Sequence, residues 1–351
     1  MRPFTYTAQA ARVVFGRGAL DRLGDEVRRL GVRRALVLAT PGQHALAERI
    51  AAMLGPLSAG IFARALMHVP IETAREAREA ARSLGADSAV AIGGGSTTGL
   101  GKAIALESGL PILAIPTTYA GSEMTPIYGI TEGGAKKTGR DAKVLPRTVI
   151  YDPELTLELP ATLSITSGIN AIAHAAEGLY AADGNPVMDL MAKEGIAALA
   201  RSLPAIRANP RDIEARSQAL YGAWLCGTVL GNVSMALHHK LCHTLGGSFN
   251  LPHAETHTIV LPHALAYNAP AAPVAMQRIA MALGVADAAQ GVFDLAQANG
   301  APTALRDIGM RAADVDRACE LALQSPYPNP RPLEAGAIRR LLQDAFEGRR
   351  P

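Results

Sequence analysis

Six of the chain's nine histidines fall within "MALHHKLCHTLGGSFNLPHAETHTIVLPH", residues 235–263. Imidazoles so concentrated serve as metal ligands, as proton carriers, or as ordinary polar side chains. Spacing begins to separate these readings. His239 and His243 stand four apart in a segment of helical character, and Asn170 and His174 stand four apart in "GINAIAHAAEG". Residues at i and i+4 share one helix face. Two helices offering such pairs can face one pocket. The turn "LGGSFNLP" can return His253 to the same place, giving three imidazoles and an amide oxygen around a small volume. The plain alternative for each histidine is a hydrogen-bonded core or surface position. His238, His257 and His263 are expected to be structural, with His238 pointing away from the face of His239. Cys242 is also expected to point elsewhere.

A second constellation is the glycine-rich "AIGGGSTTGLGK", residues 91–102. It follows a strand-like run and leads into a helix. Glycines let backbone approach a pyrophosphate, and a helix N-terminus offers N–H donors to it. Gly93, Gly94, Gly95, Ser96 and Thr97 are therefore expected to bind cofactor. A bare strand–helix turn is the alternative. The spacing is neither G-x-G-x-x-G nor the nucleoside-triphosphate loop, because Ala103 follows Lys102. "PTTYAGSEMT", residues 116–125, supplies a second turn with Thr117, Thr118, Tyr119 and Ser122. Two such turns at neighbouring strand ends form the crevice where doubly wound sheets hold dinucleotides.

The surrounding patterns say what must position these groups. "RALVLAT", "SAGIFARAL", "SAVAIGGGS" and "PILAIPTT" read as strands, separated by the helical "HALAERIAAMLG" and "TAREAREAARSLG". That alternation predicts an α/β domain, a doubly wound parallel sheet covered by helices, over residues 1–153. Beyond "DPELTLELP" come Ala-rich segments of helical period: "TSGINAIAHAAEGLYA", "VMDLMAKEGIAALARSLPAI", "RSQALYGAWLCGTVL", "VAMQRIAMALG" and "EAGAIRRLLQDAFE". They predict an all-α domain over residues 154–351. A chain of 351 residues suits two domains, and 49% apolar residues suffice for their cores. A net charge of +3 without basic runs gives no argument for nucleic acid. Three cysteines without metal-type spacing fit a reducing cytoplasm. Neither an N-terminal signal core nor a long apolar stretch is evident, so no membrane partner is expected.

The order "GGGS", "PTT-x-x-GSE", "N-x-x-x-H", and "H-x-x-x-H" followed ten residues later by "PH" resembles the iron-containing (group III) alcohol dehydrogenase family. The likeness runs from "VVFGRGAL" to the C-terminal helices. It implies a dinucleotide-binding domain and a helical domain with the active site in the cleft between them, and it suggests a homodimer. "GGGSTTGLGKAIAL", "PTTYAGSEMTPIYGITE", "KKTGRDAKVLPRTVIYDP" and "SPYPNPRPLE" are most similar to the branch of the family that reduces 2-maleylacetate. The family's metal ligands, one aspartate and three histidines, fall by motif on Asn170, His174, His239 and His253. Asparagine thus replaces the only anionic ligand. An amide oxygen is a weaker ligand than a carboxylate, although three histidines alone can hold zinc. Metal-independent catalysis is the expectation.

At the adenosine end, relatives that favour the unphosphorylated cofactor often carry aspartate where this chain has Thr40. Both NADH and NADPH are therefore expected. Lys136 matches a family lysine near the cofactor. Gly99 replaces an aspartate common after "GGGS", which removes a negative charge.

The resemblance implies reduction of the carbon–carbon double bond of 2-maleylacetate to 3-oxoadipate in aromatic-compound degradation. His243 is then the expected general acid, with His174, His239 and His253 orienting substrate and stabilising charge. Asn170 can donate from its amide to a carboxylate. Lys240 and Arg331 are the expected cationic partners of the dicarboxylate, and Tyr119 and Ser122 are expected to contact nicotinamide or substrate. A metal-dependent alcohol dehydrogenase is the nearest alternative. A lyase that uses the cofactor without net redox change and a non-catalytic dinucleotide-binding regulator are further ones.

Overall fold

The computed structural model describes every residue except 1–3, 8–10, 134 and 325–326, and it leaves out the side chains at 135 and 136. The side chain of Lys136, expected near the cofactor, is therefore not described. The chain divides into two compact units, one of residues 8–159 and one of residues 160–351 together with the first residues of the chain. The reading above placed the division at 153/154.

The first unit holds a six-stranded parallel sheet built from β1 (Arg12–Phe15), β2 (Ala35–Leu38), β3 (Ser58–Phe62), β4 (Ser88–Gly93), β5 (Ile112–Pro116) and β8 (Thr148–Tyr151), in the order β1-β8-β5-β4-β2-β3. The central strands β8, β5, β4 and β2 are short, apolar and buried on both faces, as parallel sheets covered by helices require, and the edge strands β1 and β3 are half-buried. Alternation assigns the faces. Val37, Val90 and Ile92 pack with Val27 of α1 (Leu23–Arg29) and Ile50 of α2 (His44–Leu54). Leu36, Leu38 and Ala89 pack with Ala77 of α3 (Ile71–Ser83) and Ile104 of α4 (Gly95–Ser108). An antiparallel hairpin, β6 (Ile127–Glu132) and β7 (Ala135–Arg140), stands apart from the sheet.

The strand order reverses between β2 and β4. Their carboxyl ends carry Thr40 and the glycine turn, so the switch point is where the sequence placed cofactor.

The second unit is helical: α5 (Ala161–Gly178), α6 (Pro186–Ala208), α7 (Ile213–Asn232), α8 (Leu237–Phe249), α9 (His253–Asn268), α10 (Pro273–Leu283), α11 (Ala288–Ala298), α12 (Asp314–Leu323) and α13 (Ala335–Glu347). Local signals start several of them. Asn185 caps α6 with a side-chain oxygen on the amides of Val187 and Met188, and Asp212 caps α7 in the same way. α6 and α7 approach closely because Gly195 and Gly222 face each other. A Cβ on Gly195 would lie 2.7 Å from the Cys226 sulfur, and one on Gly222 would lie 3.0 Å from the Gly195 carbonyl.

Pro273–Ala298 is long and apolar enough by composition to cross a membrane, which the sequence reading did not register. Gly284, at φ 74°, and the Asp287 cap divide it into two helices of 11 residues. Each is about 16 Å long, well short of a bilayer core.

Candidate active site

The glycine turn comes first in chain order. Gly93 closes β4 at φ 144°, a conformation that L side chains rarely adopt. A Cβ there would lie 2.5 Å from Thr97 Oγ1 and 2.7 Å from Gln43 Oε1. Gly94 is the N-cap of α4 and supplies no side-chain cap, so the first amides of that helix point into the turn without a side-chain partner. Thr97 Oγ1 is buried and without a hydrogen-bond partner. Open helix amides, a close backbone approach and an orphaned hydroxyl fit a pyrophosphate. Thr40 donates to Gln43 Oε1 at 3.1 Å, and Gln43 Nε2 donates to Thr117 Oγ1 at 3.0 Å. Gln43 therefore ties the ends of β2 and β5 around the turn. Sequence reasoning missed it, since a lone glutamine carries no spacing signal.

In the second turn, Tyr119 is fully buried, while Thr118 and Ser122 are partly exposed. Buried Lys102 holds this turn in place. Its Nζ donates to the Ser122 carbonyl at 2.7 Å, Thr125 Oγ1 at 2.8 Å and the Ile127 carbonyl at 2.7 Å. Burial pushes the ammonium down to about 7, and the Glu123 carboxylate opposes that shift. Replacing Lys102 with Met removes three hydrogen bonds, although the Ser122 carbonyl and Thr125 Oγ1 keep other partners. We expect a loss of about 3 kcal/mol, read as a lower urea midpoint. An unchanged midpoint would remove Lys102 as the clip. Gly99 has a steric role: a Cβ there would meet Val69 Cγ2 at 2.8 Å. Packing against Val69 is thus a reason for glycine beyond the loss of charge.

The histidines gather in the helical unit. The chain bends by 96° between α7 and α8, and α8 then runs beside α5 and α9. His174 Nδ1 and His239 Nε2 are 2.8 Å apart, and His239 Nδ1 is 2.7 Å from Glu177 Oε2. The His239 and His243 ring centroids are 6.2 Å apart. His253 reaches the group through His257, with centroids 4.3 Å apart. His257 in turn lies 6.0 Å from His174 and 5.1 Å from His239. The four expected histidines thus share one cluster. His174 and His239 are buried, His253 is half-buried and His243 is exposed. Asn170 is buried, and its Oδ1 has no partner.

The orientation expected of His238 needs correction. His238 does not turn away: its ring centroid is 5.2 Å from that of His239, and its Nε2 is 2.9 Å from His257 Nδ1. His257 is central, because α9 brings it in four residues after His253. Cys242 Sγ lies 3.7 Å from His238 Nε2, one helical turn on along the same face. Burial raises its thiol pKa well above the ordinary value, which leaves it a poor nucleophile. Burial pushes His238 and His257 well below the ordinary imidazole range, with neighbouring imidazoles adding to the effect, so both rings are neutral.

Glu177 is the functional residue that the sequence reading missed. It is fully buried on α5, one turn beyond His174. Burial alone would raise its pKa. The hydrogen bond and charge of His239, and the amides of Ala236 and His238, outweigh that and hold it below the ordinary carboxylate range.

The expected cationic partners each face an aromatic ring in this unit. Lys240 Nζ sits 5.8 Å from the centre of the Tyr327 ring. Arg331 stacks 4.3 Å from the Tyr267 ring centre and donates to the Tyr267 carbonyl at 3.2 Å. Tyr267 is fourteen residues along α9 from His253, roughly 20 Å by helical rise. Arg331 borders a separate hollow of about 440 Å³ with His263, Tyr267, Arg340 and Asp344.

A divalent iron fits these donors poorly. The set Asn170, His174, His239 and His253 has no anionic ligand, and two of its nitrogens are already hydrogen-bonded to each other. His238, Cys242 and His257 form another group, with ligand atoms within 4.8 Å of one another, but its thiol is protonated and its imidazoles are paired.

Comparison with known proteins agrees with both units. Residues 10–153 match the model of iron-containing alcohol dehydrogenases, and residues 164–346 match the C-terminal model of the Fe-containing alcohol dehydrogenase family. The chain is 66% identical over 351 residues to a maleylacetate reductase of Burkholderia cepacia, covering all of both chains. Its fold matches a crystal structure of maleylacetate reductase from Agrobacterium tumefaciens at TM-score 0.96 and 56% identity, again over all of both chains. A crystal structure of a protein from Ralstonia eutropha described as an alcohol dehydrogenase matches at TM-score 0.99 and 70% identity over all of both chains. The chain belongs to the iron-containing alcohol dehydrogenase family.

Proposed function

We propose that this protein reduces the carbon–carbon double bond of 2-maleylacetate with NADH or NADPH, giving 3-oxoadipate, and that its imidazoles rather than a metal ion stabilise the developing charge. The observation that carries the reading is the buried histidine cluster with asparagine at the family's anionic ligand position. Full-length identity to maleylacetate reductases supports the substrate. When bound, the dihydronicotinamide supplies the hydride that adds to the alkene carbon β to the substrate ketone.

The residues of this chain account for the rest. The turn Gly93–Thr97 holds the cofactor phosphates, and Thr40 leaves room for a 2′-phosphate. His243, the exposed member of the cluster, donates the proton that completes the reduction and is recharged from solvent. His174, His239 and His253 orient the substrate and stabilise the negative charge that develops on its oxygen. The unpaired side-chain oxygen of Asn170 marks a free polar position. Rotation of the amide presents an N–H there, which suits a substrate carboxylate and which aspartate could not offer. The protein acts as a cytoplasmic homodimer in aromatic-compound degradation.

Product identity tests the reading. The keto dicarboxylate with a saturated chain is expected; a hydroxy acid with the alkene intact would favour an alcohol dehydrogenase. Cofactor choice gives a second test. Thr40→Asp places a carboxylate where a 2′-phosphate would lie, so KM for NADPH should rise on the order of 10- to 100-fold more than KM for NADH. Equal losses would displace the adenosine pocket from Thr40.

A further inference from the structure

We propose that the hollow between α9 and α13 is a second binding site, built for a small aliphatic dicarboxylate. It lies wholly within the helical unit, and its ligand is independent of the reaction proposed above.

Spacing sets its two walls. His263, Ala266 and Tyr267 share one face of α9, and Ala337, Arg340, Leu341 and Asp344 share one face of α13. The volume of about 440 Å³ falls within the roughly 300–1,000 Å³ that small-molecule sites occupy. A helix face turned toward a neighbouring helix ordinarily carries apolar side chains. Here it carries His263, which is only 4% exposed and whose Nε2 has no hydrogen-bond partner. A buried polar atom left unpaired is costly, and a ligand in the hollow would pair it.

Four guanidiniums line the same space, those of Arg331, Arg340, Arg349 and Arg350. Two are already matched. Arg349 pairs with Asp344 and Glu347, and Arg350 is bidentate to Asp294. The other two are not. Arg331 lies over the Tyr267 ring and donates to the Tyr267 carbonyl, with no carboxylate partner among the described residues. Arg340 is exposed and makes neither a hydrogen bond nor an ion pair among the described residues. Asp344 is the one acidic side chain on the walls, and it already holds Arg349. A carboxylate on Pro351 would still leave guanidiniums in excess.

These groups select the ligand. A guanidinium offers a planar fork of N–H donors that fits a carboxylate. Arg331 precedes α13 and Arg340 stands on its second turn, so two forks reach the hollow from different parts of the chain. They suit a molecule with two carboxylates. Ala266, Ala337 and Leu341 give apolar surface to the methylenes that join them, and a bare phosphate ion has no use for that surface. His263 Nε2 can donate to a carboxylate oxygen.

Adipate is the probe, with inorganic phosphate as its comparison. Full-length protein with ¹³C-labelled alanine methyls is titrated with each and followed by NMR. Adipate should move the Ala266 and Ala337 signals saturably. Arg340→Ala should weaken that response on the order of 10- to 100-fold, the effect of losing a hydrogen-bonded charge, and phosphate should bind the unmodified protein at least about tenfold more weakly than adipate. Arg340 is exposed and unpaired, so the variant keeps the fold. Signals that stay still, or an affinity that Arg340→Ala leaves unchanged, would overturn the proposal. Equal binding of phosphate would overturn the dicarboxylate class. A response confined to Ala173, beside His174 on α5, would place adipate in the histidine cluster alone and would also overturn it. Failure of the protein to reduce maleylacetate would sink the functional reading and leave this titration unaffected.

Discussion

Replacing His243 with Ala should lower the kcat for maleylacetate reduction by about 10²- to 10⁴-fold, the usual contribution of a placed general acid. NADH binding, followed by quenching of protein or cofactor fluorescence, should be unchanged. His243 differs from its neighbours in exposure. His174, His238, His239 and His257 are all buried, whereas His243 is open to solvent at the edge of the cluster. A proton donor must be reloaded every turnover, and an exposed imidazole exchanges with water directly. The buried rings can hold and share charge but have no such route. Full turnover by the variant would move the proton donor to another residue, with half-buried His253 next in line.

The second large effect is on stability. Burial holds His238 and His257 well below the ordinary imidazole range and His263 at about 4, with Asp344 partly opposing the shift at His263. In the unfolded chain each takes up a proton as pH falls through about 6.5, while the folded protein keeps it neutral. The unfolded state thus binds more protons below that pH, and folding stability drops as pH falls. Each group contributes about 1.4 kcal/mol per pH unit once the medium is well below 6.5. For three groups the loss between pH 7.5 and 5.5 is about 4 kcal/mol. Urea midpoints across that range should fall steeply, and His257→Asn should flatten the slope by about a third. Carboxylates such as Glu177 act in a lower window, since their stabilisation is lost only below the ordinary carboxylate value of 4.5. A flat profile would show that the imidazoles are already charged in the folded protein.

Much of this architecture is written locally. β2, β4 and β5 are short apolar runs that end in Thr, Gly or Pro turns, and α2, α3 and the Ala-rich helices repeat at helical period. The i, i+4 pairs brought out half of the site: Asn170 with His174, and His239 with His243. The same rule reaches the rest. Glu177 lies three residues after His174 on the same stripe of α5, and His257 lies four after His253. What spacing does not carry is the partner. That Glu177 caps α8, whose own sequence lacks a cap, depends on a contact between residues sixty apart. His238 turns inward because His257 arrives from another helix to meet it. The hairpin β6–β7 was illegible for another reason: "AKKTGR" has no apolar alternation to mark a strand. Arg331 reads as a substrate cation from charge and order alone, and neither carries its stacking on Tyr267.

The central claim is that imidazoles, held by Glu177, take the role that the family's metal plays elsewhere. Elemental analysis of the purified protein, paired with NADH oxidation by maleylacetate before and after chelator treatment, tests it most directly. We predict iron and zinc well below one per chain and a rate that the chelator leaves unchanged. One iron or zinc per chain, with activity abolished on its removal and restored on its return, would contradict the account.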